Sequence, residues 1–260
     1  MKKLLALLLA VLMIASLAAC GAKEPATDTE YVKDKGVLVV GITDFAPMDY
    51  KDDAGNWIGF DADMAKAFAE SLDVDCQFVE IDWGTKHMEL EAKNIDVVWN
   101  GMTLTTDVKN LMDCSNAYCT NAQVIVMNAA VADQYQTAES CAELNFAVES
   151  GSAGEEAAIA EGYTYVPVDT QAKAVMEVAS GASDACIIDL LMAGAMIGEG
   201  TSYPDLVTGA SLTSEEYGVG FRKGSDLVDA LNKFFADTYA DGSMMECAKT
   251  YGVHLSIIEQ

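Results

Sequence analysis

Gly36-Val37-Leu38-Val39-Val40-Gly41 and the segment GFDADMAKAFAESL at residues 59–72 carry the strongest fold signal in the chain. The first is an apolar, β-branched run bounded by glycines, which predicts a buried strand. The second places Met64, Phe68 and Leu72 on one face at helical spacing, which predicts an amphipathic helix. Further strands are predicted at residues 76–81 and 95–99, with a short helix at 85–92 between them. This β-α-β-α-β order predicts an α/β domain built on a largely parallel sheet.

The same alternation starts again after residue 122 and predicts a second α/β domain. After a strand at 217–221, the last two predicted helices (227–239 and 244–250) have no strands of their own to cover, so we expect them to pack on the first domain. The chain would then cross between two lobes near residues 121–127 and 208–220. We therefore expect one lobe from residues 36–121 and 215–260 and another from 122–214. Clefts between such lobes favour ligand binding.

The composition excludes two classes of function. The chain has 15 Lys+Arg against 41 Asp+Glu, for a formal net charge of -26. Nucleic-acid binding and docking through a basic patch on anionic lipid both need clustered cations, so neither is expected. With 51% hydrophobic residues the chain can bury a core, and the charge does not indicate disorder. We expect an acidic, folded and monomeric protein.

The N-terminus predicts export and lipidation. Met1-Lys2-Lys3 is basic and precedes an apolar run from Leu4 to Ala19, which is typical of a secretory signal peptide covering residues 1–19. The following Leu17-Ala18-Ala19-Cys20-Gly21 resembles the bacterial lipobox, in which the thiol of Cys20 would carry a diacylglyceryl group. The alternative is an ordinary signal followed by a coincidental cysteine. Residues 20–35 are predicted to be a flexible tether to the outer face of the membrane.

Six cysteines follow Cys20 and would permit three disulfides. A core of this size does not need them, and Cys76 and Cys186 lie in apolar predicted strands, where cysteine behaves as a small hydrophobe. We therefore predict mostly buried thiols, with Cys114–Cys119 the one suggestive pair. No CxxC motif occurs and neither histidine lies near a cysteine pair, so neither a metal site nor a cofactor is predicted.

A series of short motifs spans residues 36–252. Each motif is weak by itself, but their order and spacing together are specific. They resemble the extracellular solute-binding proteins of polar amino-acid ABC transporters (bacterial family 3). The motifs are Val39-Val40-Gly41, Phe45-Ala46-Pro47-Met48-Asp49-Tyr50, Gly59-Phe60-Asp61-Ala62-Asp63-Met64-Ala65, Trp83, Asn100-Gly101-Met102-Thr103-Leu104-Thr105, Ser115-Asn116-Ala117-Tyr118, Gly151-Ser152-Ala153, Asp184-Ala185-Cys186-Ile187-Ile188-Asp189 and Tyr217-Gly218-Val219-Gly220-Phe221-Arg222-Lys223-Gly224. The resemblance implies a type II periplasmic-binding-protein fold, with two α/β domains joined by two hinge strands. It also implies closure on a small polar solute, and delivery of that solute to a membrane permease.

The resemblance also implies a set of ligand contacts. Phe45 and Trp83 match the aromatic pair that flanks the ligand's side chain, the alternative being ordinary core. Asp189 matches the acid that pairs with an α-ammonium group, the alternative being a cap of the helix from residue 190. The other expected contacts are the Thr103 hydroxyl, the backbone of Asn100, Gly101 and Met102, and the N–H groups of Gly151, Ser152 and Ala153 at a helix start. A Ser152 N-cap would be compatible with that last role.

One departure from the family pattern affects the ligand. The position that usually carries a carboxylate-binding Arg holds Val108, and Lys109 is one residue later, about 100° further around a helix. Asp44, Asp49 and Glu149 are expected near the cleft, which would make it less cationic than usual. The ligand is then either an amino acid held by Thr103 and the N–H groups of residues 151–153, with or without Lys109, or it is a cation or a solute without an α-carboxylate.

Two other classes of function remain open. An elimination enzyme on this fold would need an acid or base in the cleft, most often histidine. His87 and His254 lie outside the expected cleft segments, and no GxSxG, HExxH or phosphate-loop motif occurs, so catalysis is not predicted. A sensory binding protein would share the fold and would need a separate receptor.

Overall fold

The computed structural model describes residues 26–260. The predicted signal peptide and the lipidation site Cys20 lie outside the described residues. Within residues 26–260, no helix has both the length and the apolar character needed to cross a bilayer.

The first sheet has the order β4-β1-β5-β13-β6, with β7 also pairing with β13. Strand β1 lies between β4 and β5 and runs parallel to both, whereas β13 is antiparallel to β5, β6 and β7. A separate pair, β2 with β3, is antiparallel. These strands are β1 (Val37–Ile42), β2 (Tyr50–Lys51), β3 (Trp57–Ile58), β4 (Asp75–Glu80), β5 (Val97–Thr103), β6 (Asp113–Cys114), β7 (Cys119–Asn121) and β13 (Glu215–Phe221).

The second sheet has the order β10-β9-β11-β8-β12. Strand β9 runs parallel to β10 and β11, and β8 is antiparallel to β11 and β12. In both sheets, the carboxyl ends of the parallel strands lead into loops, as predicted for α/β domains. The strands are β8 (Gln123–Asn128), β9 (Asn145–Glu149), β10 (Thr164–Val168), β11 (Ala185–Asp189) and β12 (Leu206–Ser211).

Helices cover both sheets. The predicted apolar face is confirmed, because Met64, Phe68 and Leu72 are buried in the core of the first sheet. The final helices join the same core through Phe235 and Met244, as expected of helices without strands of their own. The helices are α1 (Asp28–Lys35), α2 (Phe60–Ser71), α3 (Lys86–Glu91), α4 (Thr106–Leu111), α5 (Ala153–Glu161), α6 (Gln171–Ser180), α7 (Leu190–Met196), α8 (Leu227–Asp241) and α9 (Ser243–Thr250).

The chain passes between the two sheets at two neighbouring points. It leaves the first sheet after β7 and enters the second at β8, so that Ala122 lies at the first passage. It returns between β12 and β13, through residues 212–214. The two passages lie side by side, because Glu215 pairs with Asn121 and the N–H of Leu212 donates to the carbonyl of Gln123 at 2.8 Å.

Two expectations are corrected. The predicted flexible tether is wrong for residues 28–35, which form α1. Thr27 caps this helix, and ion pairs hold it to the first lobe, Asp28 with Arg222 at 3.0 Å and Lys35 with Asp96 at 2.6 Å. The suggested Cys114–Cys119 pair does not form, since all six cysteines of residues 26–260 are free thiols.

Candidate functional site

A cavity lies where the ends of β5, β9 and β11 face the starts of α3 and α5. Ten predicted ligand contacts line it: Phe45, Trp83, Asn100, Gly101, Met102, Thr103, Gly151, Ser152, Ala153 and Asp189. The cavity is thus built from both sheets, which joins motifs from distant parts of the sequence at one site.

Two predicted contacts do not line this cavity. Asp44 is exposed one residue before Phe45, on the outer side of that loop. Lys109 is also exposed and borders a neighbouring groove, while the preceding Val108 faces the cavity. The rotation of about 100° per helical residue explains this difference, so Lys109 is not a cation of the cavity.

Asp189 is a buried carboxylate surrounded by donors. Its Oδ1 accepts hydrogen bonds from Gln123 Nε2 at 3.0 Å, from the Tyr217 hydroxyl at 2.5 Å and from Asn121, and its Oδ2 accepts one from Gln171. Its side chain makes no capping bond to α7, so the alternative role as a helix cap is wrong. The donors orient the carboxylate at the cavity wall, where it can meet a ligand cation.

Phe45 and Trp83 are both nearly buried and line the cavity, so they serve the core and the site together. The Phe45 ring lies against Gly101, where an added Cβ would come within 2.4 Å of ring atom Cε1. Gly101 also has φ +54°, a conformation that favours glycine. Its N–H donates to buried Asp61 at 2.6 Å, which fixes this part of β5 next to the ring.

Two polar contacts are more constrained than the sequence suggested. The Asn100 side chain is occupied, because its Oδ1 accepts from the Thr43 N–H and hydroxyl and its Nδ2 donates to Asp49 at 2.8 Å. It therefore ties both ends of the loop between β1 and β2 to β5, and offers only its backbone to the cavity. The Thr103 hydroxyl donates to Glu215 at 2.9 Å, which leaves it able to accept a hydrogen bond from a ligand.

The start of α5 has backbone N–H groups that could bind an anion, and side chains of the protein already accept from some of them. Ser152 is the N-cap, accepting from the Glu155 N–H at 3.2 Å, and the Glu155 carboxylate accepts from the Gly151 N–H at 2.7 Å. The Ala153 N–H makes no hydrogen bond to any residue that the structure describes. One backbone donor of the predicted set is therefore open to an anionic group.

Lys86 and Glu149 are buried charged residues that line the cavity. The sequence alone did not identify Lys86, and it placed Glu149 only near the cleft. Lys86 Nζ donates to the carbonyls of Trp83 at 3.1 Å and Gly151 at 3.0 Å, and so connects the two lobes. Burial lowers its pKa to about 8, against the charge of Glu149. Burial, followed by the charge of Asp189, raises the pKa of Glu149 to about 8. The sequence feature that could have indicated Lys86 as a cavity residue is its position one helical turn after Trp83.

These buried acids predict a pH-dependent stability. Burial raises the pKa values of Asp61 and Asp189 to about 7, beside about 8 for Glu149. At these three carboxyls the folded state binds protons more tightly than the unfolded chain. Their contribution to stability is therefore fully present below about pH 4 and is lost as the pH rises through 7 to 8. Without added ligand, we expect the Tm at pH 5.5 to exceed that at pH 8.5 by about 5 °C, measured by circular dichroism.

The matched variant for this prediction is Asp189→Asn, which removes one titrating group and is expected to reduce the Tm difference between the two pH values. A Tm that is equal or higher at pH 8.5 in the wild-type protein would contradict the prediction.

A hinged pair of α/β lobes with a closed polar cavity between them defines a two-lobed ligand-binding protein. Residues 38–254 match the family model described as bacterial extracellular solute-binding proteins, family 3. The chain belongs to this family. Its type II periplasmic-binding fold and the recognition of the family from sequence are confirmed.

Relatives of known ligand are similar over most of their length. The arginine-binding extracellular protein ArtP of Bacillus subtilis is 28% identical, over 96% of this chain and 98% of its own. The L-cystine-binding protein TcyA of the same organism is 30% identical over 96% and 97%. A crystal structure of the P235GK mutant of ArgBP from T. maritima has a TM-score of 0.80 and 30% identity, covering 86% of this chain and 99% of that one.

Proposed function

We propose that this chain captures a free amino acid in the cavity between its lobes and presents it to the permease of an ABC importer. The observation that carries the proposal is that one cavity contains separate sites for opposite charges. Asp189 offers a carboxylate on one side, and Lys86 with the Ala153 N–H offers donors on another. A zwitterion needs such a pair of sites, because a buried charge is costly unless it is paired.

The relatives support an amino acid without fixing which one. ArtP and TcyA, which resemble the chain at similar identity, carry the names of arginine and cystine. Both ligands share the α-ammonium and α-carboxylate groups and differ in their side chains. The common main-chain groups match Asp189 and the start of α5, which is where the cavity of this chain has its charged groups.

We propose that binding closes the cleft by a hinge motion at the two passages between the sheets, with residues 36–121 and 215–260 moving against residues 122–214. Contacts across the cleft support this. Lys86 Nζ reaches the Gly151 carbonyl, and the Thr105 hydroxyl donates to Glu156 at 3.2 Å. A ligand that contacts both lobes shifts the population toward the closed form.

Export and lipidation at Cys20 remain part of this proposal, and so does a monomeric protein on the outer face of the membrane. Residues 26 and 27, where the described chain begins, continue the proposed tether as far as the start of α1 at Asp28. We also propose a binding role rather than catalysis. The residues lining the cavity include no histidine, and Asp189, its best-placed acid, is already bonded to four donors.

Titration with amino acids is expected to change the tryptophan fluorescence, because Trp83 lines the cavity whereas Trp57 and Trp99 do not. We would titrate the wild-type protein with single amino acids, polyamines and small peptides and record emission. The change should disappear in Trp83→Phe and persist in the matched variant Trp57→Phe. Binding of polyamines alone, with no response to any amino acid, would overturn the proposed function.

A further inference from the structure

The buried charges of the cavity are unequal in number. Two carboxylates, Glu149 and Asp189, are 2% and 3% exposed, whereas the one buried cation lining the described cavity is Lys86 at 8%. Glu156, at the cavity mouth, already accepts from the Thr105 hydroxyl. The buried part of the site therefore has one more anionic group than cationic groups.

Glu149 is a cavity carboxyl group that lacks a hydrogen-bond partner for one of its oxygens within the described part of the chain. Its Oε1 is buried and has no hydrogen-bond partner among the residues that the structure describes. Asp189 differs, because donors already surround it. A buried carboxylate oxygen without a partner is costly, and a charged donor from a ligand would remove that cost.

Lys86 is a buried cation without an anionic partner among the described residues. Both of its hydrogen bonds go to neutral carbonyls, and within residues 26–260 no carboxylate lies within 4.0 Å of its Nζ. It lines the same cavity as Val108, the residue at the position where the family pattern expects the carboxylate-binding Arg. Lys86 thus supplies a cation to the cavity from a different element, α3.

We propose that the ligand is an α-amino acid with a cationic side chain, whose carboxylate contacts Lys86 and whose side-chain cation contacts Glu149. The proposal rests on the proposed function, in which Asp189 takes the α-ammonium group. Such a ligand has two cationic groups and one anionic group, which complement the two carboxylates and the one lysine. A neutral amino acid leaves Glu149 without a charged partner, and a diamine without a carboxylate leaves Lys86 without one.

The first test is calorimetric titration of the wild-type protein with L-arginine, L-lysine, L-glutamine and agmatine, the last being arginine without its carboxylate. We expect one of the two cationic amino acids to bind at least about tenfold more tightly than both L-glutamine and agmatine, as a charged hydrogen bond contributes about 1.5–3 kcal/mol.

Two variants assign the contacts. Glu149→Gln is expected to weaken binding of the preferred cationic amino acid about 10- to 100-fold and to change L-glutamine affinity less than about threefold. Lys86→Met should weaken every amino acid by a similar factor and leave agmatine nearly unaffected. The matched controls are Glu161→Gln at the exposed end of α5 and Lys109→Met outside the cavity, both expected to bind as the wild type does.

A pH profile tests the same contact in the unmodified protein. Asp189, Lys86 and Asp82 are the charged groups that act on Glu149, and the carboxyl must ionise to bind a cation. The affinity for the cationic amino acid should therefore rise from pH 6 to pH 8 by about tenfold more than that for L-glutamine, which shares the dependence on Asp189 and Lys86 but not that on Glu149. In Glu149→Gln the two profiles should become parallel.

The outcomes separate the two proposals. If no amino acid binds, the proposed function fails and this inference fails with it. If L-glutamine binds as tightly as L-arginine and L-lysine, or if Glu149→Gln and its pH profile match the wild type, only the cationic specificity is overturned. A Lys109→Met loss as large as that of Lys86→Met would overturn the assignment of Lys86.

Discussion

Replacing Gly151 with alanine is expected to lower ligand affinity by about 100-fold or more, because it prevents the cleft from closing. Gly151 has φ +72°, and a Cβ on it would lie 2.6 Å from the Cα of Gly84, on the opposite side of the cleft. The added Cβ has a fixed position and meets backbone atoms of Gly84, so no side-chain rotation relieves the obstruction. The two lobes would have to stay further apart at this point than they are in this structure.

Gly162→Ala is the matched control. Gly162 ends the same helix with φ +73°, and an added Cβ there meets nothing within 4 Å. Both variants therefore carry the same backbone strain, of order 1 kcal/mol, and only Gly151→Ala carries the clash between lobes. We would measure affinity by calorimetry and compaction on binding by small-angle X-ray scattering. Wild-type affinity and compaction in Gly151→Ala would show that closure does not bring these two glycines together.

Replacing Asp189 with asparagine is expected to weaken amino-acid binding by about 100-fold or more. Removing one member of a buried, hydrogen-bonded charge pair typically costs 2–5 kcal/mol of binding free energy. Asparagine preserves the volume but presents an NH₂ group to a site whose neighbours are the donors of Gln123, Gln171, Tyr217 and Asn121. The α-ammonium of the ligand would then lose its counter-charge.

The folded state of Asp189→Asn should survive, because the change removes a carboxyl whose pKa burial raises to about 7. Asp184→Asn makes the same chemical change just before the other end of β11, where Asp184 accepts from the Asn145 N–H at 2.9 Å. We expect calorimetry to give wild-type affinity for that control. Binding by Asp189→Asn within about threefold of wild type would place the α-ammonium elsewhere.

The two variants probe different steps of the same event. Gly151→Ala leaves every charged group of the cavity in place and acts on closure, so the scattering change on binding should be lost with the affinity. Asp189→Asn leaves closure sterically possible and removes an attraction. Any residual binding at high ligand concentration should still compact the protein. This difference separates a hinge effect from a contact effect.

Much of the site could be read from the sequence because it lies on regular elements. Asp189 ends a strand and Ser152 begins a helix, and strand ends and helix starts meet at the open edge of an α/β sheet whatever the other details. The motif around Gly101 was found in the same way. The family resemblance implied these contacts, and their predicted positions at strand ends and helix starts agreed with it.

The errors have a common cause. Asp44 and Lys109 are each adjacent in sequence to a residue that faces the cavity, Phe45 and Val108, and they point elsewhere because a loop or a helical turn rotates them away. The Asn100 side chain is taken by Thr43 and Asp49, which no spacing rule predicts. Residues 28–35 read as a polar tether, yet the charges that made them appear solvated pair with Arg222 and Asp96.

The sequence by itself determined the alternation of strands and helices, the return of the final helices to the first lobe, the family and most of the loops that form the cleft. The alternation of elements follows from apolar periodicity, which is a local property that any folded form must satisfy. The family and the cleft loops followed from the resemblance of the motifs in their order and spacing. Only the tertiary structure decided which charges share the cavity. Lys86 and Gly151 are 65 residues apart and meet through a 3.0 Å hydrogen bond across the two lobes, so the cation of the site exists only when both lobes are in place.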